Sequence, residues 1–319
     1  MLKLLRRGGG GQEPVGVGPG WVMPDTVVWM DLINPDRAEE LVAEQALGVA
    51  LPTREEMAEI EVSSRLYQDD GATFMTAFVL AHAEEDVPSL QPVTFVLAKG
   101  RLVTIRYVEP RAFTVFAAQA ERDPDFCRSG VGAFLGLLDA LVDRLADILE
   151  KTSVDVELVS TDIFRPSRKA GFKPILQALG RSQAVAAKAR GSLVSLGRLL
   201  SFATLSGEIV EGKEHRDRLR TLQRDVKSLT DHCAYLTENV TFLLDSAVGL
   251  INTDQNEIMK VFSVWAVVLM PPTLIGSIYG MNFRHMPELQ TVWGYPMALG
   301  LMAVAMLVPL WWFRRKGWL

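Results

Sequence analysis

Two stretches near the C-terminal end constrain this chain more than anything else in it. Val261 to Gly280 (VFSVWAVVLMPPTLIGSIYG) and Val292 to Phe313 (VWGYPMALGLMAVAMLVPLWWF) contain no charged residue. A helix of about 20 residues, rising ~1.5 Å per residue, spans a hydrocarbon layer of ~30 Å. Such stretches predict two closely spaced transmembrane helices after a large soluble domain. Lys260 precedes the first span, and Arg314, Arg315 and Lys316 follow the second, so positive charge lies on one common side. That bias places both termini in the cytoplasm and leaves residues 284–291 as an external loop. No apolar stretch of signal-peptide length follows the basic start MLKLLRR.

Charge divides along the same line. From Lys260 onward there are five basic residues and one acid; of the chain's 33 basic and 38 acidic residues, 28 and 37 therefore precede it. A soluble part so acidic favours cations over nucleic acid as partners. The two cysteines, Cys127 and Cys233, stand roughly a hundred positions apart with no CxxC, which suggests neither a disulfide framework nor a zinc ribbon. His82, His215, His232 and His285 are scattered, and no HExxH, phosphate-binding loop, GxSxG or dinucleotide fingerprint is present, so enzymatic chemistry has no visible address. No organic cofactor is expected.

The fold class expected is an α+β cytosolic domain of mixed α/β/α layers, then a long coiled-coil-like stalk helix and the two transmembrane helices. Residues 1–20, rich in glycine, read as a flexible N-terminus. Over 21–130 an α/β domain is expected, with a strand over Thr26 to Leu32, a helix from Asp36 to Leu47, a helix start capped by Thr53, and strands over Ala72 to Leu80, Val93 to Ala98 and Leu102 to Tyr107. Lys99-Gly100 joins the last two strands as a hairpin would. Long helices fill 131–208. From 209 to 283 apolar residues (Leu219, Leu222, Val226, Leu229, Cys233, Leu236, Val240, Leu243, Ala247, Leu250) recur at alternating spacings of three and four, the seam of helices packed along their length. No proline falls between Ile209 and Pro271, so this seam runs into the first span, about 261–281, as one helix of roughly 110 Å. The second span covers 292–313, and 314–319 is a basic cytosolic tail.

The first span ends in Tyr279-Gly280-Met281-Asn282, followed by a tight Met286-Pro287-Glu288-Leu289 loop, a last span and a basic tail. With Asn256 to Lys260 opening the span, Met270-Pro271 inside it and Leu51 to Met57 in the soluble domain, this arrangement resembles the CorA family of magnesium transporters over nearly the whole chain after residue 25. The resemblance implies a funnel-shaped homopentamer in the bacterial inner membrane. It further implies Mg²⁺ uptake, with Co²⁺ and Ni²⁺ also passing, and a selectivity filter of Tyr279, Gly280, Met281 and Asn282 at the external mouth. Mg²⁺ surrenders its water reluctantly, so neutral oxygens such as that of Asn282 suit a hydrated ion.

Counting back from Asn282 along one helical face reaches Ser277, Thr273, Met270, Ala266, Phe262, Met259, Asn256 and Asn252, with Asp245 lower still. The polar members suit the ion's water, and rings of Met259, Phe262 and Met270 suit dry constrictions. Glu288 is the loop's only carboxylate, because Arg284 stands where the family has an acid; Pro271-Pro272 doubles a proline that is single in the family. The resemblance also implies feedback by cytosolic Mg²⁺ bound to carboxylates of the soluble domain, for which Glu84, Glu85 and Asp86 are the candidates. A zinc transporter of the ZntB branch and a membrane-anchored scaffold or sensor are the competing readings. The Met-Pro-Glu-Leu loop favours magnesium over zinc, and the polar face of the first span favours a pore over an anchor.

Overall fold

The computed structural model of the protein describes residues 1–7, 11–17, 21–85, 87–123, 127–165, 171–281, 284 and 286–318. It divides into two units, Met1–Leu244 and Asp245–Leu319.

The first unit is built on a seven-stranded sheet: β1 (Leu2–Arg6), β2 (Glu13–Val15), β3 (Val27–Ile33), β4 (Leu66–Asp69), β5 (Ala72–Ala81), β6 (Ser89–Ala98) and β7 (Arg101–Arg106). The spatial order is β2-β1-β3-β7-β6-β5-β4. Only the β3–β7 pairing is parallel, and all the other neighbours are antiparallel. The β6–β7 hairpin turns on Lys99 and Gly100, both at positive φ (53° and 72°), the conformation a two-residue turn needs to match strand twist. Central β3 reads VVWMDLI and is buried along its whole length, as a strand covered on both faces should be.

One face of the sheet carries α1 (Arg37–Leu47) and α2 (Arg54–Met57). Each begins with a reciprocal capping box, Asp36 with Glu39 and Thr53 with Glu56, which satisfies orphan amides at the helix start. Leu47 and Met57 enter a core with Met30, Leu32, Phe74 and Val103. Toward the other face lie α3 (Arg111–Arg122), α4 (Gly130–Ile163) and α5 (Phe172–Ala203). There Trp29 lies edge-on to Phe116, at 5.4 Å between ring centres, and Phe95 lies edge-on to Phe134, at 5.7 Å. Gly136 on α4 is where Phe116 sits, since a methyl there would overlap its ring.

The N-terminal segment differs from the expectation of flexibility. Residues 2–6 form β1, and Leu2 and Leu4 are buried beside β3. Their pairing partners lie about 25 positions away, a long-range bond that composition does not report.

After a short α6 (Gly207–Val210), the 67-residue α7 runs from Lys213 to Tyr279. It starts four residues later than position 209. Leu219, Leu222, Val226, Cys233, Leu236, Val240 and Leu243 are buried as the heptad pattern requires. Cross-links to the neighbouring helices include Cys233 Sγ to the Ala186 carbonyl (3.1 Å), Gln223 to the Leu200 carbonyl and the Arg218–Asp139 ion pair. In the second unit α7 passes through Pro271-Pro272 without ending, a 3₁₀ turn spans Pro287–Gln290, and α8 covers Gly294–Arg315. Both α7 and α8 contain windows long and apolar enough to cross a membrane.

Candidate functional site

Within the second unit α8 covers one face of α7. Val264 and Val268 are buried with Phe313, against Met306 and Leu310, and Gly276 faces Met302. At ~100° per residue, Asp245, Asn252, Asn256, Met259, Phe262, Ala266, Met270, Thr273 and Ser277 all fall within ~60° of the direction opposite Val268. Each of these nine is exposed in the single chain, Phe262 at 71% and Met270 at 70%. The sequence-derived face is therefore one continuous strip, and α8 leaves it uncovered.

The strip is wet at both ends and dry between them. Amides at 252 and 256 and hydroxyls at 273 and 277 flank Met259, Phe262, Ala266 and Met270. Thr273 already donates its hydroxyl hydrogen to the Leu269 carbonyl at 2.7 Å, so toward the strip it presents lone pairs. An oxygen fixed in this way serves as an acceptor for water or a hydrated cation.

At the far end the last turn of α7 closes with Gly280 N–H on the Gly276 carbonyl (3.0 Å) and Met281 N–H on the Ile278 carbonyl (3.3 Å). Tyr279 is half-buried; Gly280 and Met281 are exposed. Asn282 lies outside the described residues, as do Phe283 and His285. The loop's Glu288 is exposed and its backbone carbonyl accepts the Thr291 hydroxyl at 2.9 Å, leaving the carboxylate outward. A side chain at Gly294 would collide with that same carbonyl, so the glycine there permits the tight return into α8.

At the opposite end, Lys260 approaches the Gly317 carbonyl (3.5 Å) and the Trp318 ring (5.4 Å), while Lys316 lies over Trp312 at 4.6 Å. Cations and indoles gathered at one end of a helix pair suit a membrane–water boundary.

In the single chain the described acids of the 84–86 loop are paired with cationic or imidazole side chains. Glu84 pairs with Arg144 at 2.7 Å and Arg111 at 3.8 Å, and Glu85 with His82 at 2.8 Å; Asp86 lies outside the described residues. The Arg144 guanidinium holds the Glu84 carboxyl below the usual carboxylate range. Among the described residues no three His, Cys, Asp or Glu side chains of one chain gather as a metal site would need. Unforeseen was the row Asp139, Asp143, Asp147 on α4, joined by Asp225 of α7. Burial, and then the three neighbouring carboxylates, push Asp143 above the ordinary range. The spacing of four was the available signal.

The sequence profile of the family described as "CorA-like Mg2+ transporter protein" matches residues 24–315. A "Magnesium transport protein CorA" from Pasteurella multocida (strain Pm70) is 36% identical over 295 residues, covering 92% of this chain and 93% of the relative. Its namesake from Escherichia coli (strain K12) is 35% identical over 292 residues, covering 92% of each. Among solved structures, the complete CorA magnesium transporter from Methanocaldococcus jannaschii superimposes with a TM-score of 0.76 over 100% of this chain and 98% of that one, at 19% identity. The ZntB cytoplasmic domain from Vibrio parahaemolyticus superimposes with a TM-score of 0.55 at 12% identity, over 71% of this chain and 88% of that one. At those identities both structures speak for the fold alone.

Proposed function

Given that this chain belongs to the family of CorA-like Mg²⁺ transporter proteins, we propose that it conducts Mg²⁺ across the membrane along the exposed strip of α7. The observation that carries this reading is the placement of amide and hydroxyl residues of a membrane-spanning helix on the face opposite α8. Polar groups in a span need partners or water, and copies of α7 ranged round an axis give both. A homopentamer is the assembly proposed, with the Asn282 amide of each copy completing the filter begun by Tyr279, Gly280 and Met281.

Such a path works on the hydrated ion. Neutral oxygens at Asn252, Asn256, Thr273 and Ser277 accept hydrogen bonds from its water, so the cost of stripping Mg²⁺ is avoided. Rings of Met259, Phe262 and Met270 interrupt the path with dry constrictions that gate by excluding water. Glu288 supplies the one loop carboxylate that attracts cations to the mouth, and Arg284 weakens that attraction. An inside-negative potential drives a doubly charged ion inward by about twice ~2.3 kcal/mol per 100 mV, which makes a nucleotide site unnecessary. Co²⁺ and Ni²⁺, similar in hydrated size, pass by the same route. Feedback by cytosolic Mg²⁺ belongs to the proposal, with its carboxylates to be sought away from Glu84 and Glu85, whose partners are already cations. The named relatives at 34–36% identity are magnesium transport proteins, which favours magnesium over the zinc reading.

The test is ion flux into proteoliposomes under an inside-negative potential. Wild type takes up Mg²⁺ with little inhibition by Zn²⁺, and Asn282→Ala loses the uptake. Zn²⁺ entry coupled to protons, with little Mg²⁺ entry, would overturn the proposal; so would absence of any flux from a folded oligomer.

A further inference from the structure

A cavity of about 310 Å³ in the first unit lies between residues 79–85, the segment 108–112, helix α4 and Ser192 of α5. The transport reading gives it no task. Three features converge on it. Arg144 and Arg111 approach the same oxygen, Oε1 of Glu84, at 2.7 and 3.8 Å, so two guanidiniums define one oxyanion position. The N-terminus of the twelve-residue α3 opens at the same wall: its cap residue is Pro110, no side chain caps it, and its first turn holds no acid. Ser192, fully buried, lines the cavity, and its hydroxyl has no hydrogen-bond partner among the described residues.

Uncapped helix amides and paired arginines are the components from which proteins build phosphate sites. A buried hydroxyl without a partner is costly unless something fills its place. The present occupant of the oxyanion position is Glu84, a carboxylate on an exposed loop. That loop is further held by Arg181, which donates to the Glu84 carbonyl at 2.8 Å. Glu84 is thus a tethered anion in a place made for anions. The other acids of the wall do not occupy it, since Glu85 is engaged by His82 and Glu109 belongs to the segment leading into α3.

We propose that this cavity binds the phosphoryl group of a small soluble phosphate compound, and that Glu84 is a built-in competitor that the ligand displaces. A cavity of this size admits a phosphate with a modest substituent. The phosphoryl oxygens take the place of the Glu84 carboxylate on Arg144 and Arg111, and the Ser192 hydroxyl, which lines the same cavity, donates to the bound group.

The experiment is calorimetric titration of the full-length protein in lipid nanodiscs, in Mg²⁺-free buffer, with inorganic phosphate and pyrophosphate as probes. Saturable binding is expected. Arg144→Gln weakens it by about tenfold or more, as loss of one charge-assisted hydrogen bond implies. Glu84→Gln tightens it, because the competitor loses its charge, and does so far more than Glu85→Gln, whereas general attraction of anions to a basic surface would respond equally to the loss of either acid. Ser192→Ala weakens binding while leaving the Glu84→Gln gain in place. Absence of saturable binding to both wild type and Glu84→Gln would overturn the proposal, as would binding indifferent to Arg144→Gln. No readout here depends on ion flux, so the site and the transport reading stand or fall separately.

Discussion

If the strip opposite α8 lines a water-filled path, single cysteines placed on it will react with a membrane-impermeant, cationic methanethiosulfonate, and cysteines elsewhere on the span will not. Ala266, Met270, Thr273 and Ser277 lie within ~40° of the direction opposite Val268, whereas Val267 lies ~80° and Ile275 ~160° from it. The native thiols form a quiet background. Cys127 is buried and its thiol is pushed up to about 12 by burial, which leaves ~10⁻⁴ as thiolate at pH 8. Cys233 is buried and raised in the same direction by the same cause. A thiol in water, with a pKa of about 8.5, is about one quarter thiolate at pH 8. Thiolate fraction alone therefore gives an introduced cysteine an advantage of roughly 10³ over Cys127. The assay is the rate of modification in proteoliposomes by mass spectrometry, with Mg²⁺ flux measured before and after. Thr273→Cys and Ser277→Cys should react at least about tenfold faster than Val267→Cys, Val268→Cys and Ile275→Cys, and their modification should abolish flux. Fast reaction at the flanks with silence on the strip, or modification of the strip that leaves flux intact, would refute the reasoning.

Four further outcomes are expected. Asp31, fully buried in β3, accepts from Arg106, Thr104 and Gln12 at 2.8–3.2 Å. Asp31→Ala strands a buried guanidinium, and hydrogen exchange of β3 and β7 should report about 3–5 kcal/mol of lost stability; the double change Asp31→Leu with Arg106→Met should restore most of it. Gly136→Ala forces a methyl onto Phe116, and thermal unfolding in detergent should show a cost of about 1–3 kcal/mol. Asp143 has its folded pKa raised, so its ionisation opposes folding above the unfolded value; Asp143→Asn should raise the midpoint at pH 7, a gain that fades below about pH 4 where both forms are neutral. Glu84 has its pKa lowered, so the ordering that it gives residues 82–85 is present above its unfolded value and disappears as pH falls through the lower folded one. Hydrogen exchange of that loop at decreasing pH, corrected for intrinsic rate, checks the sign.

What could be read from the chain was what local chemistry writes. Asp36 and Thr53 announce their helices because a capping box is complete within four residues, and Lys99-Gly100 announces the hairpin because only certain residues accept positive φ. The strip on α7 was legible because a helix converts spacing into a face. Other features needed partners brought from afar. Arg106 meets Asp31 from 75 positions away, and β1 was lost behind a glycine-rich composition because its order comes from β3. The surroundings of Glu84 were hidden for the same reason. Its neighbours in sequence are acids, while its neighbours in space are Arg111 and Arg144.

The doubled proline links the strip to the need for an assembly. Pro271 and Pro272 have no amide hydrogen, so the carbonyls of Val267 and Val268, one turn earlier, lose their ordinary donors. The Thr273 hydroxyl does not replace them, because it donates to Leu269. Hydrocarbon has no donor to offer, and an unsatisfied carbonyl at that depth costs several kcal/mol. Val268 points at α8, whose neighbouring residues Met306, Leu310 and Phe313 are apolar, so α8 contributes no side-chain donor there. Apart from a local 3₁₀ or π adjustment of the helix itself, the donors come from water reaching the middle of the span or from another chain. A channel formed by copies of α7 brings both, whereas a pair of spans acting only as a tether has use for neither. The doubled proline, in its backbone chemistry, is thus served by the same hydrated path that is proposed from the side chains of the polar strip.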